Sequence, residues 1–227
     1  MDSIVTGDLR RTSADDVFDY LSMQINSLKL LPGTRISEIE IAKQFDVSRQ
    51  PVREAFIRLA NRGLLLIRPQ KATVVRKFSN EKVKRARFLR MAVEYEVLRR
   101  ACRRPLGKTR QKLERSIKAQ EKAIKDNDID RFHMLDYEFH KILCEAGGSE
   151  FVFETIAENK AQVDRICLLS LAQNSAMDDL LVDHKKIVAA LIAQDEETVT
   201  SVIMMHLNRL DDVLAKIRKT HIDFFED

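Results

Sequence analysis

Val17, Leu21 and Leu28 fall on one face of a helix predicted over residues 15–28, with Ser13 placed to cap it. Leu31-Pro32-Gly33-Thr34 reads as a turn. Ser37-Glu38-Ile39-Glu40 has capping-box spacing, in which Glu40 reaches back to the Ser37 amide, and it opens a short helix to Gln44. Asp46-Val47 turns the chain. Ser48 caps a second helix running to about residue 61, which Gly63 ends by accepting a positive φ. Residues 65–68 and 73–77 are β-rich and flank Pro69-Gln70-Lys71-Ala72, the pattern of a two-stranded hairpin, or wing. Residues 1–77 thus predict a winged helix-turn-helix, and 78–80 a linker. Six helical segments follow, at 81–104, 107–126, 128–146, 150–173, 177–194 and 196–220. Their breaks fall at Pro105, 126–128, Gly147-Gly148, Asn174-Ser175 and Gln194-Asp195. The predicted fold is mostly α: an N-terminal winged helix-turn-helix plus a C-terminal antiparallel six-helix bundle over 81–227.

Within the first part, Ser48-Arg49-Gln50-Pro51-Val52-Arg53 carries the chemistry. Positions 49, 50 and 53 share one face at the start of the second helix, the end that faces base edges in a major groove. An arginine fork can hydrogen-bond guanine O6 and N7 together, and Gln50 offers the matching amide to adenine. Ser48 and the helix N-terminus suit a phosphate oxygen. Lys71, in the turn of the wing, is a further candidate for DNA contact. Val47, Val52, Phe56 and Leu59 are expected to hold this helix against Ile39, Ile41, Ala42 and Phe45.

In the second part, His140, His184 and His206 lie on or beside the apolar stripes of three different predicted helices. Asp136 precedes His140 by one helical turn, so the two side chains share a face. One carboxylate and three imidazoles make a plausible ligand set for one divalent metal ion per subunit, with positions left open for water or a ligand oxygen. Zinc, nickel, iron and manganese all suit such donors. His133 is about 10 Å of helix rise from His140 and is expected at the surface, as is His221.

Composition narrows the class. Hydrophobic residues make up 44% and charged residues 33% of the 227 positions, as in a soluble globular chain. No apolar run approaches the roughly 18 residues of a membrane span. Three scattered cysteines, Cys102, Cys144 and Cys167, suit reduced thiols and a cytoplasmic location. The net charge of +4 resides in residues 1–77, as suits a module that meets phosphates. Residues 82–125 hold 16 basic and 4 acidic side chains, read as a solvated helical surface that the acidic remainder offsets.

The run Leu31-Pro32-Gly33-Thr34-Arg35-Ile36-Ser37-Glu38, with Ala42, Val47-Ser48-Arg49-Gln50-Pro51-Val52-Arg53-Glu54-Ala55, Leu59 and Gly63-Leu64, resembles the winged-helix signature of the GntR family of bacterial regulators. Asp136-Tyr137-Glu138-Phe139-His140, His184 and Met205-His206-Leu207 resemble the metal positions of the FadR-type branch, whose effector domain is the all-helical FCD type. The resemblance implies that Arg49 and Arg53 contact bases, that the wing approaches the minor groove, and that Arg90, in Phe88-Leu89-Arg90 … Glu94, reaches an effector carboxylate. Arg165, on the fourth helix of the bundle, is a second candidate for that pocket. Gln50 stands where the family often has threonine, Ala72 where the wing usually has glycine, and Gly148 where an asparagine is common. The implied function is a homodimeric transcription regulator, a repressor, that binds double-stranded DNA at an inverted repeat. It would be controlled by a small carboxylate such as a sugar acid. Two rival readings are a metal-dependent enzyme fused to a DNA-binding head and a ligand-free dimerisation bundle. No obvious general acid or nucleophile accompanies the Asp/His set, which speaks against the enzyme.

Overall fold

The computed structural model describes residues 12–161, 163–171 and 176–226, so the expected break at 174–175 lies outside the described residues. The chain divides into two compact units, one reaching to Phe78 and including Asp223–Glu226, the other spanning Ser79–Ile222.

The first unit contains helices α1 (Ser13–Asn26), α2 (Glu38–Phe45) and α3 (Arg49–Asn61). Thr12, rather than Ser13, caps α1: its hydroxyl accepts from the Asp15 amide while the Asp15 carboxylate accepts from the Thr12 amide. Ser37 caps α2 by accepting from the Glu40 amide, without the expected reciprocal bond from the Glu40 side chain. Asp46, with φ 51°, makes the tight turn between α2 and α3. Val17, Leu21 and Ile25 of α1 meet Val52, Phe56 and Leu59 of α3 in a core closed to solvent. Arg58 of α3 donates to Asp15 at 2.8 Å.

The wing is shorter and has one more strand than the sequence suggests. Strands β1 (Arg35–Ile36), β2 (Leu65–Leu66) and β3 (Thr73–Val75) form an antiparallel sheet in the order β1-β3-β2. Two residues carry no readable period, so β1 is visible only through its pairing of Arg35 with Val74. The expected linker at 78–80 is not a free segment. Phe78 is buried, its amide donating to the Phe224 carbonyl and its carbonyl accepting from the Glu226 amide, both at 2.8 Å. Arg76 and Glu226 add an ion pair at 3.2 Å. Ser79 already caps the next helix. The segment Asp223–Glu226, expected in the bundle, thus completes the first unit.

The second unit comprises α4 (Asn80–Cys102), α5 (Lys108–Lys125), α6 (Ile129–Ala146), α7 (Phe153–Ala161), α8 (Asp164–Leu171), α9 (Ala176–Ala193) and α10 (Glu196–Thr220). The segment expected as a single helix over 150–173 is two helices. The Val163 amide donates to the Lys160 carbonyl, a three-residue step that ends the α-helical ladder there. Leu98, Leu113, Phe139, Ile187, Leu191 and Ile203 lie in one apolar core drawn from five helices. Among the described residues no helix is long and apolar enough to cross a membrane.

Glycines at the end of α6 permit close approach. A Cβ at Gly147 would lie 2.6 Å from the Val97 carbonyl oxygen of α4. At Gly148, with φ 61°, the space a side chain would take is filled by the Arg104 guanidinium, which donates to the Gly147 carbonyl. Gly147→Ala is expected to destabilise the chain by about 1–3 kcal/mol, because backbone rather than a flexible side chain must yield. Urea unfolding measures it, and an unchanged midpoint would contradict the close α4–α6 contact.

Candidate functional site

The face of α3 that the sequence singles out for DNA contact is exposed. Ser48 occupies the N-cap of α3 in extended conformation but makes no side-chain capping bond, which leaves its hydroxyl available to a phosphate. Arg49 and Arg53 are 63% and 62% exposed and both lean on Glu38 of α2, at 3.3 and 3.8 Å. Exposed pairs of this kind contribute little, so they yield readily to a stronger partner. Glu38 is a group the sequence reading missed: a carboxylate that pairs with both arginines of this face. Gln50 is exposed beside them, and Lys71 and Ala72 are exposed in the turn between β2 and β3.

The four candidate metal ligands converge inside the second unit. Asp136 and His140 lie on α6, His184 on α9 and His206 on α10, and all four are buried. One ligand atom from each lies within 4.8 Å of the others. His184 Nε2 is 3.5 Å and His140 Nε2 3.7 Å from Asp136 Oδ1. The helices place them for the reason the sequence suggests: each stripe that buries Phe139, Ile187 or Ile203 carries a histidine into the same core.

What the other ring nitrogens do decides the chemistry. His140 Nδ1 faces Glu94 Oε2 at 2.6 Å, and His206 Nδ1 faces Asp183 Oδ2 at 3.5 Å. His184 Nδ1 is bonded to Gln120 Oε1 at 2.7 Å, and the Gln120 amide donates in turn to Ser116. All three partners are acceptors, so each favours a proton on Nδ1. At His140 burial lowers the pKa, but Glu94 and then Asp136 outweigh it and raise it, so a bound cation would have to displace a proton there. His184 Nε2 is fully buried with no hydrogen-bond partner, an orphan acceptor that a cation would satisfy. His184 stacks on Phe139 with centroids 4.1 Å apart, which fixes its ring plane. Burial holds the pKa of His184 well below the usual imidazole range and also lowers that of His206, so both rings stay neutral and able to ligate. Burial alone would raise the Asp136 pKa, but Lys160, then His140 and His184, outweigh it and keep it ionised. The donor set therefore fits a divalent transition-metal ion.

A cavity of about 200 Å³ opens onto this cluster, lined by Asp136, His206, Arg90 and Lys160 among others. A single water needs only roughly 10–15 Å³ by the same measure. Arg90 is buried there, donating to Glu94 Oε1 at 2.9 Å with its Nη2 3.5 Å from His140 Nε2. Glu94 is drawn down to a pKa of about 2: burial opposes this, but Arg90 and then His140 prevail. Arg165 is buried but is not among the residues lining the cavity. His133, expected at the surface, is half-buried, lines the cavity and faces Asp164 at 3.2 Å. His221 is exposed.

Several functional groups escape a sequence reading. Asp183 is adjacent to His184 in the chain, yet it serves the ring of His206 on another helix. Gln120 sits in the very polar α5, but Leu113, Ser116, Gln120 and Ala123 form its buried stripe, and polar members of such a stripe were the available signal. Lys160 and Asp164 were invisible because they flank the unforeseen break between α7 and α8.

Comparison with known proteins gives a consistent result. Residues 13–75 match the model of bacterial regulatory proteins, gntR family, and residues 87–209 match the FCD domain. The chain is 36% identical over 211 residues to the HTH-type transcriptional repressor RspR of Escherichia coli (strain K12), covering 93% of this chain and 92% of that protein. It is 24% identical over 202 residues to the gluconate operon transcriptional repressor of Bacillus licheniformis, covering 87% of this chain and 82% of that one. The solved structure of E. coli McbR/YncC shares the fold at a TM-score of 0.69 and 20% identity, over 91% of this chain and 98% of that chain.

Proposed function

From the premise that this chain belongs to the GntR family of bacterial regulatory proteins and carries an FCD domain, we propose that it is a ligand-controlled repressor whose operator affinity is set by a small carboxylate bound beside a divalent ion. That it is a DNA-binding transcription regulator and not an enzyme follows from the family; the ligand, the ion and the homodimer are the proposal. The protein acts in the cytoplasm, as a dimer, on an inverted repeat. The observation that carries the reading is the orphaned Nε2 of His184 at the centre of an Asp/His cluster, with Arg90 lining the same cavity.

Asp136, His140, His184 and His206 would hold the ion, which supplies positive charge and open coordination positions for ligand oxygens. Glu94, Gln120 and Asp183 orient the three imidazoles. Arg90, already steered by Glu94, presents its guanidinium to a carboxylate as a planar fork. The name of the gluconate operon repressor supports a sugar acid as the ligand class.

The test is metal linkage. Protein purified without chelator or nickel resin is expected to carry one divalent ion per subunit. Stripping the ion and restoring it at about a hundredfold its Kd should raise the melting temperature by about 5–10 °C, from roughly 2.7 kcal/mol of linkage. DNA binding should survive stripping while release by carboxylates is lost. Absence of bound metal together with no shift on adding zinc, nickel, iron or manganese would overturn the reading.

A further inference from the structure

Among the described residues three phenylalanine or tyrosine rings are exposed, and all three belong to two neighbouring elements of the second unit. Phe88 and Tyr95 lie on α4, 70% and 42% exposed, and Phe151, 78% exposed, lies in the short 3-10 turn Glu150–Val152 that leads into α7. On α4, Phe88, Ala92 and Tyr95 follow at i, i+4 and i+7 and are all exposed, so they form one stripe. The other side of the helix carries Val83, Ala86, Val97 and Leu98 into the core. Single apolar side chains at a surface are ordinary, but two rings with an alanine between them make a stripe that a second surface can approach closely. The two elements pack together: Val93 and Val97 of α4 share one apolar cluster with Val152, Phe153 and Ile156.

Charge divides between these elements. At its start the exposed side of α4 carries Lys82, Lys84 and Arg85 against one carboxylate, Glu81. Further along, Glu96 is shared by Arg99 and Arg100, at 2.7 and 2.8 Å, and Arg103 is held by Glu196. The turn and α7 expose Glu150, Glu154 and Glu158. Their basic neighbours do not offset them. Lys160 is buried and paired with Asp136 and Asp164, and Lys141 of α6 lies over the Phe153 ring at 6.0 Å. The chain thus carries both halves of a match, basic and aromatic on α4, acidic and aromatic on α7.

We infer that these faces form a two-fold interface between copies of this chain. The stripe of Phe88, Ala92 and Tyr95 in one subunit lies on Phe151 and the acidic side of α7 in the partner subunit, and the reverse. The inference rests on the homodimer reading above and adds the surface that makes the dimer. A second copy is the occupant because a two-fold axis satisfies both halves at once, as an isologous contact requires. Laying α4 on its own copy alone would instead bring its basic ends together, Lys84 and Arg85 against Arg99 and Arg100. The rings supply the affinity, since aromatic anchors dominate such interfaces. The charges around them contribute little each, but they fix register and exclude wrong pairings.

Sedimentation equilibrium of the full-length chain over a concentration series measures the contact. Wild type is expected to be a dimer. Phe88→Asp and Phe151→Asp should each raise the dimer Kd about 100-fold or more, because each removes an anchor twice per dimer and puts a charge in its place. Both rings are exposed, so circular dichroism should show the variants folded, and either one serves if the other is not. Charge exchange separates contact from general damage. Lys84→Glu with Arg85→Glu should weaken the dimer about 10-fold, as should Glu150→Lys with Glu154→Lys, and the chain with all four changes should recover most of that loss. A wild-type dimer left intact by both aspartate variants would overturn this surface and leave the homodimer reading standing. So would a four-change chain weaker than either of its parents. A wild type that stays monomeric throughout the series would overturn the homodimer reading itself, and the surface with it.

Discussion

His184→Ala is expected to abolish high-affinity metal binding and the ligand response while leaving operator binding intact. The ring occupies the centre of the cluster: Nε2 faces Asp136, Nδ1 is held by Gln120, and the ring stacks on Phe139. Loss of a partner that only orients a ligand costs roughly 10–100-fold in metal affinity, and this is the size expected for Gln120→Leu. Removing the ligand itself should exceed that. His206→Ala, which also opens the cavity wall, should behave like His184→Ala. Metal titration, thermal unfolding with and without zinc, and mobility shift on the operator together check the expectation. A core histidine would give a different pattern. His184→Ala would then lower the melting temperature equally in both conditions, with the zinc-induced shift unchanged, and that outcome would falsify the site.

The second large effect belongs to α3. Arg49→Ala and Arg53→Ala should each weaken operator binding by about 1–3 kcal/mol, or roughly 5–150-fold, if each arginine reads a base with its fork. Both side chains are exposed and lose only their weak pairing to Glu38, so folding should be unaffected. Lys71→Ala should act differently. It should weaken all DNA sequences alike and shallow the salt dependence by about one counterion. Fluorescence anisotropy on the operator and on a scrambled duplex at several salt concentrations separates the two kinds of contact. If both arginine variants bound the operator like wild type, base readout would have to be sought elsewhere on the unit.

The residues that were legible share one property: their role is written in their own neighbourhood. Ser48, Arg49, Gln50 and Arg53 form one run on one helix turn, and a capped helix and a tight turn precede them. Asp136 and His140 are a helical turn apart, and His184 and His206 interrupt apolar stripes, so periodicity alone brings them inward. Groups that act across elements were not legible. Gln120 and Asp183 gain meaning only when α5, α9 and α10 are packed, because each serves a histidine on a different helix. The α7–α8 break has no proline or glycine to announce it, and it carries both Lys160 and Asp164. At the chain's start, Thr12 and Ser13 are equally good caps on composition; Asp15, three residues after Thr12, decides between them through the reciprocal bond.

The pairing of Phe78 with the segment Asp223–Glu226 ties the completion of the first unit to the progress of synthesis. The Arg76–Glu226 ion pair spans 150 residues of chain. At about 5–20 residues per second, some 7–30 s separate the emergence of the two ends of that contact from the ribosome. Throughout that interval the DNA-reading unit exists without its final backbone partner, and the ring of Phe78 lacks the Phe225 ring that lies 5.5 Å away in the finished protein. A fragment ending at Phe78 would remain in that unfinished state permanently. The nascent chain thus acquires its complete first unit only after the whole helical second unit has been translated.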